Sequence, residues 1–302
     1  MQALYNSTFP ILIQGETGTG KSRLAKEIHR YSKFSKSRFV LCNLAGLSEG
    51  IFESELFGHI KGAFTGAISE KSGFCEVASG GTLFLDEIGD TTLTQQKKLL
   101  QLLDTGEYYS VGSTTKKKFA GRFIFATHKD LEEQVRRGGF REDLFYRLGG
   151  VAIQLKPYRS KSLEEKRCDL DKILKDALER NNIKGKYLSE EVVRILINYK
   201  WPGNYREIKT ALELLLLKTP RMRVEVKDLP LKFLLKVNSE GSFKQQVAEF
   251  ERKILYTEVV NKGVGVNKAS KSLGISKTTL IAKLRKYGIS EHKLGSVQMK
   301  VA

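Results

Sequence analysis

Eight residues, Gly15-Glu16-Thr17-Gly18-Thr19-Gly20-Lys21-Ser22, fit the spacing G-x-x-x-x-G-K-[ST]. This pattern suits phosphate chemistry. Its glycines let backbone N–H groups turn inward around β- and γ-phosphates, and a helix opening behind them adds positive potential. Lys21 neutralises phosphate charge in such a loop, and the Ser22 hydroxyl serves a Mg²⁺ ion. The run Gly80-Gly81-Thr82-Leu83-Phe84-Leu85-Asp86-Glu87 supplies the other half of the chemistry. An apolar strand ending in two acids sets paired carboxylates at the carboxyl edge of a sheet. There Asp86 holds the Mg²⁺ shell and Glu87 orients or deprotonates an attacking water. A phosphate loop with such a pair points to hydrolysis of a nucleotide rather than binding alone.

Those groups need a parallel sheet to bring them together. Four short β-branched or aromatic runs, Ile11–Gln14, Phe39–Asn43, Thr82–Leu85 and Arg122–Thr127, alternate with longer polar segments. Val151–Leu155 can close the sheet as a fifth strand, so an α/β part spans residues 1–156. From Ser162 the period becomes helical, with Leu170, Ile173, Leu174, Ala177 and Leu178 on one face and Val192, Val193, Leu196 and Ile197 on another. Trp201-Pro202-Gly203-Asn204 reads as a turn, with Asn204 placed to cap the next helix. A helical domain is expected over 157–236 and a linker over 237–242. A third unit covers 243–302, where Val247, Phe250, Ile254 and Leu255 line one helix face.

Lys and Arg outnumber Asp and Glu by 52 to 34, a surplus that favours polyanionic partners. It is concentrated at the carboxyl end, where nine basic residues follow Asn261 against the single acid Glu291. Asn267–Leu273, a turn at Gly274-Ile275-Ser276 and Lys277–Tyr287 make a helix-turn-helix pattern. Leu280, Leu284 and Tyr287 face inward at helical spacing. Lys277, Thr278, Thr279, Lys283, Arg285 and Lys286 are left for the groove and phosphates of double-stranded DNA. Three cysteines without a CxxC pair exclude a disulfide scaffold and argue against zinc. No apolar run approaches the roughly 20 residues that cross a bilayer, and no secretion signal is visible. A soluble, cytoplasmic protein without a membrane partner is expected.

Glu55-Leu56-Phe57-Gly58-His59-Ile60-Lys61-Gly62-Ala63-Phe64-Thr65-Gly66-Ala67 matches ELFGHxKGAFTGA, and the likeness continues in GGTLFLDEIGD, FREDLFYRL and WPGNYREI. In these motifs, and in its helix-turn-helix of the Fis type, the chain resembles the sigma-54-dependent transcriptional activators, or bacterial enhancer-binding proteins, of the AAA+ class. The resemblance implies a fold: an AAA+ P-loop parallel sheet with helices on both faces, an α-helical lid and a small all-α helix-turn-helix domain. It implies ATP and Mg²⁺ as cofactors, sigma-54 factor and RNA polymerase as partners, and a homo-oligomeric ring, expected to be a hexamer. The loop Gly62, Ala63, Phe64, Thr65, Gly66 and Ala67 would contact sigma-54 from a hairpin tip. That agrees with the residues themselves, since an aromatic at a mobile tip costs stability unless it meets a partner.

Further roles follow from the same resemblance. Arg141 and Arg147 would reach the neighbouring subunit's nucleotide, either of them being the arginine finger; alone they read equally as surface ion pairs with Glu142 and Asp143. Arg206 matches the second sensor and would touch its own subunit's phosphates. Asn43 would engage Glu87, while Thr127 and His128 fall at the first sensor. Only ten residues precede Ile11, so the amino-terminal part of the nucleotide-binding subdomain is expected to be shortened relative to the family. With no receiver domain in view, control is expected from another protein, from expression level, or not at all. Lys156–Asp169 lacks the basic-acidic pattern that the family carries after the proline. The activity implied is ATP-driven remodelling of sigma-54 RNA polymerase into the open complex. The alternative is a DNA-binding regulator whose AAA+ part oligomerises or senses a ligand without productive hydrolysis.

Overall fold

The computed structural model describes residues 5, 7, 9–234, 243–261 and 264–289. The expected linker 237–242 and the basic residues Lys262, Lys293 and Lys300 lie outside them, as does the side chain of Val247. Two compact units are present: Met1–Leu188 with Lys200–Val224, and Ser189–Tyr199 with Glu225–Ala302.

The first unit is built on five parallel strands. β1 (Ile11–Gln14) and β2 (Phe39–Asn43) precede a short antiparallel pair, β3 (Gly58–His59) with β4 (Lys71–Ser72). β5 (Thr82–Asp86) is followed by a second antiparallel pair, β6 (Glu107–Tyr109) with β7 (Lys116–Lys118). β8 (Arg122–Thr127) and β9 (Ala152–Gln154) complete the sheet. The spatial order is β2-β5-β8-β1-β9. The expected strands are therefore present within a residue at each end.

Side-chain alternation explains why this sheet is buried on both faces. Leu12, Leu83, Leu85, Phe123 and Phe125 join one core with Phe52, Leu56 and Leu99. Ile11, Ile13, Phe84, Ile124 and Ala126 point the other way, onto Ala25 and Ile28 of the helix Lys21–Arg30. Each buried Leu, Ile or Phe among them contributes about 1.5–3 kcal/mol relative to exposure. Register pins the chemistry to one edge: Asn43 lies opposite Asp86, and Gln14 opposite both Thr127 and Gln154. The edge strand β2 is open on one side, which leaves Leu41 exposed.

In the same unit the helices Leu163–Arg180 and Asn204–Lys218 pack on one another. The first starts at Ser162, whose hydroxyl and the Glu165 carboxylate form a reciprocal capping box. The second starts differently from expectation. Asn204 is not its cap: that position is Gly203, with no side-chain cap, and Asn204 is the first helical residue. It is fully buried at φ 48, a left-handed conformation that Asn tolerates better than most residues.

In the second unit the helices Phe243–Tyr256, Val266–Leu273 and Lys277–Lys286 enclose Leu255, Val259, Ala269, Leu280 and Leu284. Gly274 turns the chain at φ 65, and the Ser276 hydroxyl caps the last helix by accepting from Thr279 N at 3.1 Å. Phe250, expected on the buried face, is exposed.

Candidate active site

The P-loop leaves β1 directly and ends at the helix Lys21–Arg30. Gly15 N is tied to Thr127 O at 3.2 Å, so the loop begins anchored to β8. Gly18 lies at φ 81, and a Cβ there would stand 2.2 Å from Gly203 O; a side chain is excluded. Lys21 is buried, with its Nζ 2.8 Å from Gly15 O. Loss of water pushes the Lys21 ammonium pKa down, against the upward pull of Glu87 and Asp86. A charge held this way is poised for a strongly anionic ligand.

Across from it, Ser22 Oγ donates to Asp86 Oδ2 at 3.3 Å. A hydroxyl and a carboxylate converging on one point, beside a buried lysine, form a donor set that fits Mg²⁺ on a nucleotide. Burial, then the charge of Glu87, raises the Asp86 carboxyl pKa. Glu87 follows at φ 58, ψ 47, a left-handed conformation that stores strain for a glutamate. Its Oε2 accepts from His128 Nδ1 at 2.7 Å and from His128 N at 3.2 Å. Its Oε1 stands 3.9 Å from Lys21 Nζ. Glu87, Asp90 and His128 also present ligand atoms within 4.8 Å of one another, but Lys129 neutralises Asp90 at 2.6 Å. A recess of about 290 Å³ opens beside the loop, with Gln14, Glu16, His128, Asp130 and Gln154 among its walls.

Several expected roles change. The Asn43 carboxamide does not meet Glu87; its Oδ1 accepts from Ala45 N at 3.0 Å, because the chain turns sharply after β2. His128 holds the glutamate instead. Thr127 is buried and its Oγ1 accepts from Lys129 N at 3.0 Å, so of the two first-sensor residues His128 faces the site. Arg141 forms a two-pronged pair with Asp143, at 3.0 and 2.7 Å. Arg147 donates to Leu103 O at 3.1 Å and pairs with Asp104 at 3.2 Å. Within this chain both arginines are thus held at the surface, by Asp143 and by Asp104 with Leu103 O. Arg206 is exposed on the first turn of its helix, near enough for its charge to bear on Lys21.

Two connections escaped the sequence reading. Gln96, fully buried, donates to Thr91 O at 2.9 Å and Gly139 O at 3.2 Å and accepts from Arg141 N at 2.8 Å. It links the segment after Glu87 to the arginine-bearing helix. The other is a carboxylate of the P-loop itself: Glu16 is gripped by Arg159 and by Asn204. A glutamine inside an amphipathic helix and an arginine in the short 3-10 turn Tyr158–Ser160 carry no local signal of either task.

The GAFTGA segment sits between β3 and β4. Gly62 N donates to Ala67 O at 2.8 Å and Ala67 N to Phe64 O at 3.0 Å, closing the tip. Phe64 and Thr65 are exposed as expected, whereas Ala67 is buried at the base of the turn. The Phe64 ring leans edge-on against His59, centroids 5.0 Å apart. The loop after β6 buttresses this tip: Val111 N donates to Gly58 O at 2.8 Å, and Gly112 lies against Ala63.

On the helix-turn-helix, Lys277, Thr278, Thr279, Arg285 and Lys286 are exposed. Lys283, expected to face DNA, is paired within the chain. Its Nζ lies 2.7 Å from Glu251 Oε1, and Tyr287 OH donates to the other oxygen of that carboxylate at 2.7 Å. Among the described residues no helix is long and apolar enough to cross a membrane.

A family model described as Sigma-54 interaction domain matches residues 1–154. The chain belongs to this family. Beyond its sigma-54 interaction domain, an AAA+ ATPase lid domain matches residues 168–246 and a helix-turn-helix domain residues 240–290. The transcriptional regulatory protein ZraR of Salmonella typhimurium is 38% identical over 281 residues, covering 91% of this chain and 62% of that protein. The DNA-binding transcriptional regulator NtrC of Escherichia coli is 35% identical over 317 residues, covering 95% of this chain and 66% of that protein. The crystal structure of NtrX from Brucella abortus in complex with ATP is similar at a TM-score of 0.69 and 27% identity, over 95% of this chain and 65% of that one. The chain thus spans less than two thirds of the length of these relatives. Its parallel-sheet P-loop fold and its place among sigma-54-dependent regulators agree with the sequence reading.

Proposed function

We propose that this chain is the ATPase and DNA-binding portion of a transcriptional activator that hydrolyses ATP to remodel sigma-54 RNA polymerase. The observation that carries this reading is the convergence of Lys21, Ser22, Asp86, Glu87 and His128 on one sheet edge, in a chain that also carries the GAFTGA hairpin.

Each residue then has a task. The P-loop amides and Lys21 hold the phosphates of ATP. Ser22 and Asp86 hold Mg²⁺, which when bound neutralises charge on the phosphate oxygens. Glu87 takes a proton from the attacking water, and His128 keeps its carboxylate aimed and stabilised as it does so. In a homo-oligomeric ring, taken as hexameric, Arg141 and Arg147 exchange their surface partners for the neighbour's nucleotide, where a guanidinium stabilises charge growing on the γ-phosphate. Arg206 reports on the phosphates from its own subunit. Thr127 supports the strand end beneath the sensor, and Asn43 fixes the turn leading toward the helix Glu49–Phe57 and the GAFTGA hairpin.

The exposed Phe64 and Thr65 engage sigma-54. Lys277, Thr278, Thr279, Arg285 and Lys286 meet double-stranded DNA upstream of a promoter, in the cytoplasm. The division into a nucleotide-binding subdomain over 1–156, a lid over 157–236, a linker over 237–242 and a DNA-binding domain over 243–302 belongs to the same reading.

The test is ATPase activity as a function of protein concentration, with and without sigma-54 holoenzyme. Turnover that rises faster than linearly with concentration, and holoenzyme capture in the presence of a γ-phosphate mimic, are expected. Absence of turnover at every concentration, with DNA binding intact, would favour a regulator that does not hydrolyse ATP.

A further inference from the structure

Three segments far apart in the chain meet at Glu16. The Arg159 guanidinium embraces its carboxylate, with Nη1 2.6 Å from Oε2 and Nη2 on Oε1. Asn204 Nδ2 donates to Glu16 Oε2 at 3.2 Å and to Thr17 O at 3.1 Å. Asn204 Oδ1 accepts from Tyr158 N at 2.8 Å. One buried carboxamide therefore joins the P-loop, the connector after Pro157 and the first turn of the helix Asn204–Lys218.

The backbones are equally close. A Cβ on Gly18 would meet Gly203 O at 2.2 Å and Arg206 Cβ at 3.2 Å. Arg206 thus projects from a turn that cannot shift against the P-loop while Asn204 and Gly18 stay seated.

We propose that Glu16, Arg159 and Asn204 form a clasp that positions Arg206 over the phosphate-binding loop. They set affinity for the β- and γ-phosphates without touching them. The clasp rests on the reading of the P-loop as an ATP site. The physical grounds are geometric. An isolated exposed ion pair contributes little to stability. A two-pronged pair that also shares an oxygen with a buried, fully engaged asparagine fixes direction rather than energy. A nucleotide that pulls on the P-loop must therefore carry the helix turn with it, and loss of the clasp must leave Arg206 free to wander.

Equilibrium binding of a fluorescent ATP analogue to the full chain tests this, with the corresponding AMP analogue as a probe lacking both outer phosphates. Glu16→Gln and Arg159→Ala should each weaken the ATP analogue about fivefold and leave the AMP analogue within about twofold. In an Arg206→Ala background the same changes should add nothing further. The charge swap Glu16→Arg with Arg159→Glu should recover at least part of the loss. Equal penalties with and without Arg206, or equal penalties for the two analogues, would overturn the positioning role. So would unchanged ATP affinity. Asn204→Ala is the harsher variant, since Ala at φ 48 is strained; Glu16→Gln keeps the test independent of it. Failure of the unaltered chain to bind the ATP analogue at all would instead overturn the reading of the loop, and the clasp with it.

Discussion

Glu87 and His128 form a two-point contact on a single carboxylate oxygen, the imidazole Nδ1 at 2.7 Å and the backbone N at 3.2 Å from Oε2. Because an ionised carboxylate only accepts, Nδ1 carries the proton in this contact. The other oxygen points toward Lys21. The glutamate is thus aimed by a neighbouring strand end rather than by its own segment, whose left-handed backbone at this residue already costs energy.

His128→Ala should lower kcat about tenfold, by removing the side-chain half of that contact, with ATP affinity within about twofold. Steady-state kinetics alongside nucleotide binding separates the two effects. A weakened Kd with unchanged kcat would show that the histidine serves binding.

Glu87→Gln should retain ATP binding and lose hydrolysis by a factor on the order of 10² to 10⁴. Single-turnover measurements with saturating enzyme are the check, because they exclude slow product release. Normal turnover would remove Glu87 from its assigned role.

Asp86 gives a prediction in pH. Its carboxyl pKa is raised in the folded chain, by burial first and by Glu87 next. A group whose folded value lies above the unfolded one adds stability below the unfolded value of about 3.9, and that stability is lost as pH rises through the folded value. At neutral pH the ionised Asp86 is therefore a cost in the absence of nucleotide. Asp86→Asn should raise Tm at pH 7 by about 2 °C, less toward pH 4, while abolishing Mg²⁺-dependent turnover. Thermal unfolding across that pH range decides it.

Thr65→Ala should spare ATPase activity and abolish open-complex formation, since Thr65 is exposed on the hairpin tip and takes no part in the nucleotide site. Promoter-opening assays with sigma-54 holoenzyme provide the readout, and unchanged transcription would remove the hairpin from the mechanism.

The basic helix divides into two kinds of lysine. Lys277→Ala should weaken DNA binding across sequences and reduce the salt slope by about 1. Lys283→Ala should instead loosen the helix from Glu251, lowering thermal stability with the salt slope nearly unchanged. Binding titrations at several salt concentrations distinguish the two.

Reading residues in order located the phosphate loop, the paired acids, the five sheet strands and the helix-turn-helix. Those features are local: Gly-Lys-Ser at a strand end, an apolar run closing in Asp-Glu, and leucines at helical spacing are complete within about ten residues. The same order read Asn204 as a cap and Phe250 as core, and it did not show that Asn43 turns to Ala45 N or that Lys283 pairs with Glu251. Each concerns where a side chain points once the chain has folded, through a local turn at Asn43 and through distant segments at Asn204 and Lys283. Asn204 is drawn inward by Glu16 and Thr17, which lie 188 and 187 positions earlier.

Chemistry was legible from the chain alone because a nucleotide site needs particular residue types at fixed spacing on one strand and the loop behind it. Partnership was not. Whether Glu87 leans on Asn43 or on His128, and whether Arg159 floats or grips the P-loop, depends on the register of β5 against β2 and β8. It depends equally on how closely two backbones approach at Gly18 and Gly203, and no spacing along the sequence encodes such a distance.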